Sequence, residues 1–403
     1  MKHSFATLPR NLLLALSPVL LVLPSRAAST SQAFYGDPPD DFHPWAVHDR
    51  NRLQPQRVVP GTPGTQQSPG RPPSDAVVLF DGTEASLANW ISDKPEGGPI
   101  KWALKEGALE VVPKTGYIRT RREFGDVQLH VEWASPTVIK GEGQGRGNSG
   151  IFLHGLVEVQ VLDNNNNPTY ADGFAASVYG VNPAMANALR PTGEFQFIDI
   201  VFRRPIYVGD ILVDPGYVTV FCNGVLVQDH TPLEGPTGHI KRTHSKPFPE
   251  KGPLRLQDHG DLVRFRNIWI RELPPRPQAG ATDFAYTAIE TAAKRAEIAE
   301  SIRNDGARLA AGSNARMLRL AESLVYAPDA DTRKEVEALA SAYVESIVRL
   351  SGDALEAKKD EVTGVLKALQ YLAKCAALSP DFEPRVTLEK VSLAAGWEDA
   401  KKK

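Results

Sequence analysis

Residues 217–229 read Tyr-Val-Thr-Val-Phe-Cys-Asn-Gly-Val-Leu-Val-Gln-Asp (YVTVFCNGVLVQD). Apolar residues alternate along both arms, and Asn223-Gly224 stands between them. Asn-Gly supplies the two positive-φ residues that a tight hairpin turn requires, so the stretch predicts an antiparallel hairpin. The same texture extends outward. Ala76–Phe80 ends in the turn signal Asp81-Gly82, and Leu109–Val112, Val127–Trp133, Ile151–Leu162, Phe195–Phe202 and Val263–Leu273 all read as strands. Long helical periodicity is absent from 76–273. Short strands and turns over such a length predict a mainly β chain folded as an antiparallel sandwich.

The rest of the chain divides around this block. At 403 residues it suits two domains rather than one, and 42% hydrophobic with 23% charged residues is ordinary globular composition. A net charge of −2 leaves no global basic field for nucleic acid or an anionic membrane. Two cysteines cannot build a disulfide scaffold. Lys2, His3 and Arg10 precede the apolar run Asn11–Leu23, and Ser25-Arg26-Ala27 follows with small residues at a cleavage site. Residues 1–27 therefore read as a secretory signal peptide, too short and too interrupted by Pro18 for a membrane span. The expectation is an exported protein, periplasmic or extracellular, with no membrane contact after cleavage.

Residues 28–75 read as a Pro-rich leader, extended or irregular; nine prolines fall within 29–75. One island, Phe42-His43-Pro44-Trp45-Ala46-Val47-His48, is expected to dock as an arm on the domain that follows. Residues 274–281 (PPRPQAGA) form a linker. Beyond it the period changes: Val336, Leu339, Tyr343, Ile347 and Leu350 recur at three and four, as do Val362, Leu366, Leu369 and Leu372. Residues 282–403 are expected to be an all-α bundle of four or five helices, with Gly352 closing one helix and Asp353 capping the next. This region carries no chemical motif and reads as a packing module or a contact for a protein partner or oligomer. Cys222 and Cys375 fall in different domains, which favours two separately buried thiols over an interdomain bridge.

Three stretches of the β block are more polar than a sandwich needs. The first is Arg146-Gly147-Asn148-Ser149-Gly150. Its glycines allow close approach to a ligand, and Arg146 and Asn148 could grip sugar oxygens. The second is Glu158-Val159-Gln160-Val161-Leu162-Asp163. If Val159 and Val161 face the core, Glu158 and Gln160 line an open face. Asp163 would join them only through a bulge; otherwise it opens an Asx-turn. The third is Gln257-Asp258-His259. His259 is the histidine best placed for proton transfer, and Gln257 would share its face. His154, four residues before Glu158, would lie on the same side of one long strand. Tyr179 and Trp133 could stack on a sugar or simply pack as core. The oxygens of Asp163–Asn167 offer calcium a structural site, but no recognisable loop pattern supports one. No other metal or cofactor is implied.

At these residues the chain resembles a known family, the 3-keto-disaccharide hydrolase domain family of exported bacterial proteins. The matching pieces are VVLFDGTEASLANW (77–90), FGDVQLHVEW (124–133), GQGRGNSGIFLHGLVEVQVLD (143–163), SVYG (177–180), the 217–229 hairpin and LRLQDHGDLVRFRNIWIREL (254–273). They cover essentially all of 76–273 in the family's order and none of 282–403. The resemblance implies a concanavalin-like jelly-roll of two curved antiparallel sheets, acting on glycosides whose sugar carries a ketone at C3. Glu158-x-Gln160-x-x-Asp163 also looks like the acidic strand of laminarinase-type glucanases, with Gln160 in place of a central carboxylate. That departure puts an ordinary two-carboxylate glycosidase in doubt.

A 3-keto sugar needs less. Its ketone acidifies the hydrogen on C2, so one base can remove it; the C1 substituent then leaves and water adds back. The residues then suggest Glu158 as base and His259 as acid, with these roles exchangeable or Asp163 as the second acid. Arg146 and Asn148 would donate to the ketone, and Gln160 and Gln257 would orient hydroxyls. The rival expectations are a non-catalytic carbohydrate-binding module of the same fold, and a scaffold that works through its helical tail.

Overall fold

The computed structural model describes residues 36–40, 43–233, 235–241, 246–274, 276 and 286–397. The expected signal peptide and most of the expected linker lie outside the described residues. The chain forms two compact units: a β unit of Asp41–Pro44 with Arg52–Ala292, and a helical unit that contains Trp45–Asn51 and Ala293–Lys403.

Among the described residues the β unit has strands β1 (Val77–Phe80), β2 (Trp90–Ser92), β3 (Ala103–Lys105), β4 (Ala108–Glu110), β5 (Ile118–Phe124), β6 (Val127–Ala134), β7 (Ser149–Leu153) and β8 (Val157–Val161). They continue as β9 (Gln196–Arg203), β10 (Ile206–Val208), β11 (Ile211–Asp214), β12 (Tyr217–Cys222), β13 (Val225–Pro232), β14 (Gly252–Leu256) and β15 (Arg264–Glu272). One sheet runs β13-β12-β9-β6-β15-β4-β3, with β1 also on β15; the other runs β2-β5-β14-β7-β8; β10 and β11 form a separate ribbon. Strand neighbours are antiparallel, and the two larger sheets share one core. Leu129, Val131, Ile200, Phe202 and Phe265 enter it from the first sheet, and Ile151, Val157, Val159, Val161 and Leu256 from the second. Each such side chain contributes about 1.5–3 kcal/mol by leaving water. The sandwich expected from the strand pattern is the fold observed.

The 217–229 hairpin forms as read. Cys222 pairs with Val225, and Asn223 and Gly224 take φ of 52° and 81°. The Ile151–Leu162 stretch does not form one strand. It folds at His154 and Gly155, with φ of 52° and 66°, into the β7–β8 hairpin. His154 therefore sits in a turn rather than in line with Glu158. Its Nε2 meets Gly125 O at 3.1 Å and its ring packs edge-on against Phe202.

The leader is not an extended tail. Residues 59–74 fold back on themselves through Ser74 N to Val59 O, Thr62 N to Arg71 O and Thr65 N to Ser68 O, at 2.8–3.0 Å. Gln66 exchanges both amide bonds with the Phe195 backbone, and the carbonyls of Thr65 and Gln66 accept from Arg266. Arg266 Nε also donates to Glu132 Oε2 at 2.6 Å, and Asn267 donates to Oε1 at 2.8 Å. A bulge between Arg266 and Trp269 turns Asn267 toward Glu132, which is 0% exposed. His130 bridges Asp199 at 2.8 Å and Glu132 at 3.5 Å.

The helical unit holds α1 (Ala288–Ala307, entering it from Ala293), α2 (Asn314–Tyr326), α3 (Ala330–Ile347), α4 (Asp353–Glu356), α5 (Lys359–Lys374) and α6 (Glu383–Ala394). Its core includes Met317, Val336, Ile347, Val362, Leu366, Leu369 and Leu388. The expected cap is shifted. Gly352 and Asp353 open the single-turn α4, and α5 starts at Lys359. The Trp45–His48 part of the aromatic island belongs to this unit. Ile298 and Ile302, one turn apart on α1, leave a slot with Tyr326 that the Trp45 ring fills. Tyr326 OH donates to Asp49 Oδ1 at 2.9 Å. Cys222 is buried, Cys375 is half-buried, and both are free thiols.

The Glu132 network makes a testable contribution to stability. Burial alone would lower His130 below its ordinary 6.5, but hydrogen bonds and charges from Asp199 and Glu132 outweigh it and hold it at about 9. A pKa raised on folding stabilises fully below the unfolded value and is lost as pH rises toward the folded one. Urea unfolding should show stability falling from pH 6.5 to 9, with a shallower fall in His130→Asn. Arg266→Met, which leaves Glu132 only His130 and Asn267 as partners, should cost about 1.5–3 kcal/mol at pH 7.

Candidate active site

Because Val157, Val159 and Val161 turn inward, Glu158 and Gln160 project from the outer face of the five-stranded sheet. The register carries this face across three strands. Phe152 of β7 stands opposite both Glu158 of β8 and Arg255 of β14. In the next row Gly150 stands opposite Gln160, and its carbonyl accepts from Gln257 N at 3.1 Å. Loops supply the walls: Tyr117, Gln144, Asn148, Tyr170, Tyr179, Thr237–His239 and His259. Together they enclose a cavity of about 470 Å³.

Gly150 lies at the centre of this floor for a steric reason. A Cβ there would stand 2.2 Å from Glu158 Oε1 and 2.8 Å from the Phe152 ring. The bare backbone gives the carboxylate its place. Burial pushes Glu158 up to about 8, against the opposing charge of Arg255. The Gln160 amide sits beside it. In one orientation its nitrogen meets Gln144 Oε1 at 3.0 Å; in the other it donates to Glu158 Oε1 at 3.3 Å and Ser149 O at 3.2 Å. Arg255 is held by Asp93 at 3.2 Å and lies 4.4 Å over the Phe152 ring. Its Nε and the Oε1 of Gln257 are buried without a hydrogen-bond partner. Gln257 Nε2 donates to Tyr117 OH at 2.8 Å. Such unmatched donors and acceptors beside one carboxylate suit a ligand rich in oxygens.

Of the residues picked out in the sequence, Glu158, Gln160, Asn148, Tyr179, Gln257 and His259 line this cavity. His259 is exposed, in the loop after β14. Four others are elsewhere. Arg146 is buried with its Nε on Asp163 Oδ2 at 2.9 Å and its Nη2 on Asn165 O and Thr192 Oγ1, and it does not line this cavity. Asp163 is that arginine's partner and also accepts from Asn165 N, the Asx-turn alternative. His154 is the hairpin-turn residue described above, and Trp133 is 1% exposed in the sandwich core. The oxygens expected to suit calcium are engaged internally: Asn164 Oδ1 accepts from Ala175 N, and Asn167 Oδ1 from Gly143 N. Among the described residues no three His, Cys, Asp or Glu side chains cluster as a metal site.

The structure adds residues the sequence reading passed over. Arg255 was open to the same alternation argument, since Leu254 and Leu256 face the core on either side of it. Tyr117, Gln144, Tyr170 and His239 reach the cavity from separate loops, and no local pattern signals them.

The sandwich carries a polar, carboxylate-bearing cavity on one outer face, and the comparisons identify a glycoside hydrolase-type enzyme. Residues 75–271 match the family model of the 3-keto-alpha-glucoside-1,2-lyase-like domain. A Bacteroides thetaiotaomicron protein named 3-keto-disaccharide hydrolase is 25% identical over 240 residues, 49% of this chain and 78% of that one. A Parabacteroides distasonis protein of known crystal structure, proposed to be a glycosyl hydrolase, is 42% identical. The match covers 56% of this chain and 95% of that one, with a TM-score of 0.52. The chain belongs to the 3-keto-disaccharide hydrolase family through its β unit.

The tight fit at Gly150 is directly testable. Displacing a catalytic group by about 1 Å costs on the order of 100-fold in rate. Gly150→Ala should therefore lower kcat/KM by about that factor. Its circular dichroism spectrum should stay that of the wild type.

Proposed function

We propose that the enzyme cleaves 3-keto-disaccharides by elimination and hydration, which sum to hydrolysis. The observation that carries this reading is the count of carboxylates. Among the described residues lining the cavity, Glu158 is the one acid. An ordinary retaining hydrolase needs two carboxyl groups about 5–5.5 Å apart. A single buried base suits a substrate whose ketone has made the C2 hydrogen acidic.

In this scheme Glu158 removes the C2 proton on the cavity floor. Negative charge develops on the C3 oxygen, and Arg255 and Asn148 of the floor and wall are the donors assigned to it, Arg255 taking the part expected of Arg146. The C1–O bond then breaks toward the cavity mouth, and a histidine there, His259 or His239, protonates the departing oxygen. Water adds its oxygen to C1 as its proton passes to the histidine, and Glu158 returns the proton to C2. Every step uses a side chain of this chain. The basic, apolar and small-residue pattern of 1–27 supports action outside the cytoplasm.

Mass detection of products tests the reading. The 3-keto-disaccharide should be cleaved and the unoxidised parent should not. Glu158→Gln should lose about 10²–10⁴ in rate. Glu158 works as the carboxylate, with its value raised to about 8, and the histidine works as the imidazolium, so log kcat/KM should pass through a maximum with pH and fall on both sides. Unchanged turnover in Glu158→Gln sinks the assignment. Binding of the parent sugar without turnover of either form establishes the carbohydrate-binding module instead.

A further inference from the structure

A second cavity, about 430 Å³, adjoins the first. The two share Tyr170, Tyr179, Gly238 and His239; Asp172, Gly180, Ile240 and Lys241 line only the second. The shared wall is a hydrogen-bonded chain. His239 Nδ1 lies 2.9 Å from Tyr179 OH, which lies 2.8 Å from Tyr170 OH. The Tyr179 and His239 rings are near-parallel, at 17°. Tyr170 and His239 are exposed, so this chain does little for the core. Ordering exposed aromatic side chains costs conformational entropy, and a bound ring stacked on them would offset it. Asp172 and Lys241 offer a hydroxyl group an acceptor and a donor.

We propose that the adjoining cavity binds the second, departing sugar ring, and that His239 is the acid that protonates the bridging oxygen. This rests on the reading that Glu158 works on the 3-keto ring in the first cavity. A glycosidic oxygen joins the two rings, so it must lie where the two cavities meet. Of the residues at that junction, only histidine exchanges a proton readily near neutral pH. Burial and the hydrogen bond to Tyr170 keep the Tyr179 phenol protonated, so Tyr179 serves as an orienting partner. With Nδ1 held by Tyr179, Nε2 is the nitrogen that faces the leaving oxygen in the working state. His259 lines only the first cavity, which places it beside the keto ring.

The proton balance closes. Glu158 gains the C2 proton and the C–H electron pair becomes the enediolate. That pair then forms C1=C2 as the C1–O bond breaks, and the proton of imidazolium His239 goes to the leaving alcohol. On hydration, water adds to C1 as its proton passes to His239, and Glu158 returns its proton to C2. Both groups end as they began.

Two substrates separate the roles: a 3-keto-disaccharide, and the corresponding 3-keto nitrophenyl glycoside, whose aglycone departs without protonation. His239→Ala should lose about 10²–10⁴ in single-turnover C1–O cleavage of the disaccharide, the usual share of general acid catalysis, and stay near wild type in single-turnover nitrophenolate release from the nitrophenyl glycoside. Tyr179→Phe should show the same selectivity in weaker form. His259→Ala should change both substrates alike. A loss in His239→Ala that is equal on the two substrates, or absent from both, overturns the proposal even where Glu158→Gln inactivates both. If Glu158→Gln keeps both activities, the failure lies in the reading of the base, and a disaccharide-selective loss in His239→Ala would still assign the acid.

Discussion

The site depends on the alternation of one short hairpin. β7 and β8 are five residues each, and their turn at His154-Gly155 fixes the register. A slip of one residue would exchange faces, placing Val157, Val159 and Val161 in the cavity and Glu158 and Gln160 in the core. Three valines with no exposed surface resist that slip through apolar burial, and an unpaired buried carboxylate resists it more. The same register sets Gly150 beside Gln160 and Phe152 beside Glu158, so one turn positions the base, its amide neighbour and the space both need.

Two buried glutamates on opposite sheets show what their surroundings decide. Glu132 has His130, Asn267 and Arg266 on its oxygens, and these outweigh burial and hold its carboxyl below the ordinary range. Glu158 has burial with one opposing charge at a distance, and its value rises. The first group is committed to its charge and ties the leader to the sheet. The second is poised between charge states, which is what proton transfer asks of it. Both glutamates are strand residues flanked by apolar neighbours. Partners brought in by the fold, Arg266 with the leader carbonyls on one side and bare Gly150 on the other, account for the difference.

This also explains how far the sequence could be read. Period-two alternation and Asn-Gly chemistry are local, so the sandwich, the 217–229 hairpin and the outward face of Glu158 were legible. β5 was missed because Arg119, Arg121, Arg122 and Glu123 hide its alternation. His154 was misplaced because a non-glycine residue at positive φ carries no strong signal. Arg146 and Asp163 looked functional because a charged pair in a glycine-rich setting reads alike whether it grips a ligand or itself. The structure pairs them with each other at 2.9 Å, outside the cavity that holds Glu158. The cavity walls come from 117, 144, 170, 179 and 239, positions related by topology alone.

The leader is the least legible part, and its behaviour has a physical logic. Its composition denies it a core of its own, so its few apolar and amide groups are useful only against surfaces built later in the chain. Trp45 completes a helical core whose other members lie beyond residue 297, and Thr65 and Gln66 give carbonyls to an arginine some 200 positions on. Closing so long a loop adds little to the entropic cost, because that cost grows only with the logarithm of length. The gain is local: a filled slot between Ile298, Ile302 and Tyr326, and a satisfied guanidinium over Glu132. A Pro-rich segment without periodicity can therefore be integral to both units. Composition alone does not distinguish that from a tether, because the distinction lies in the partners it meets.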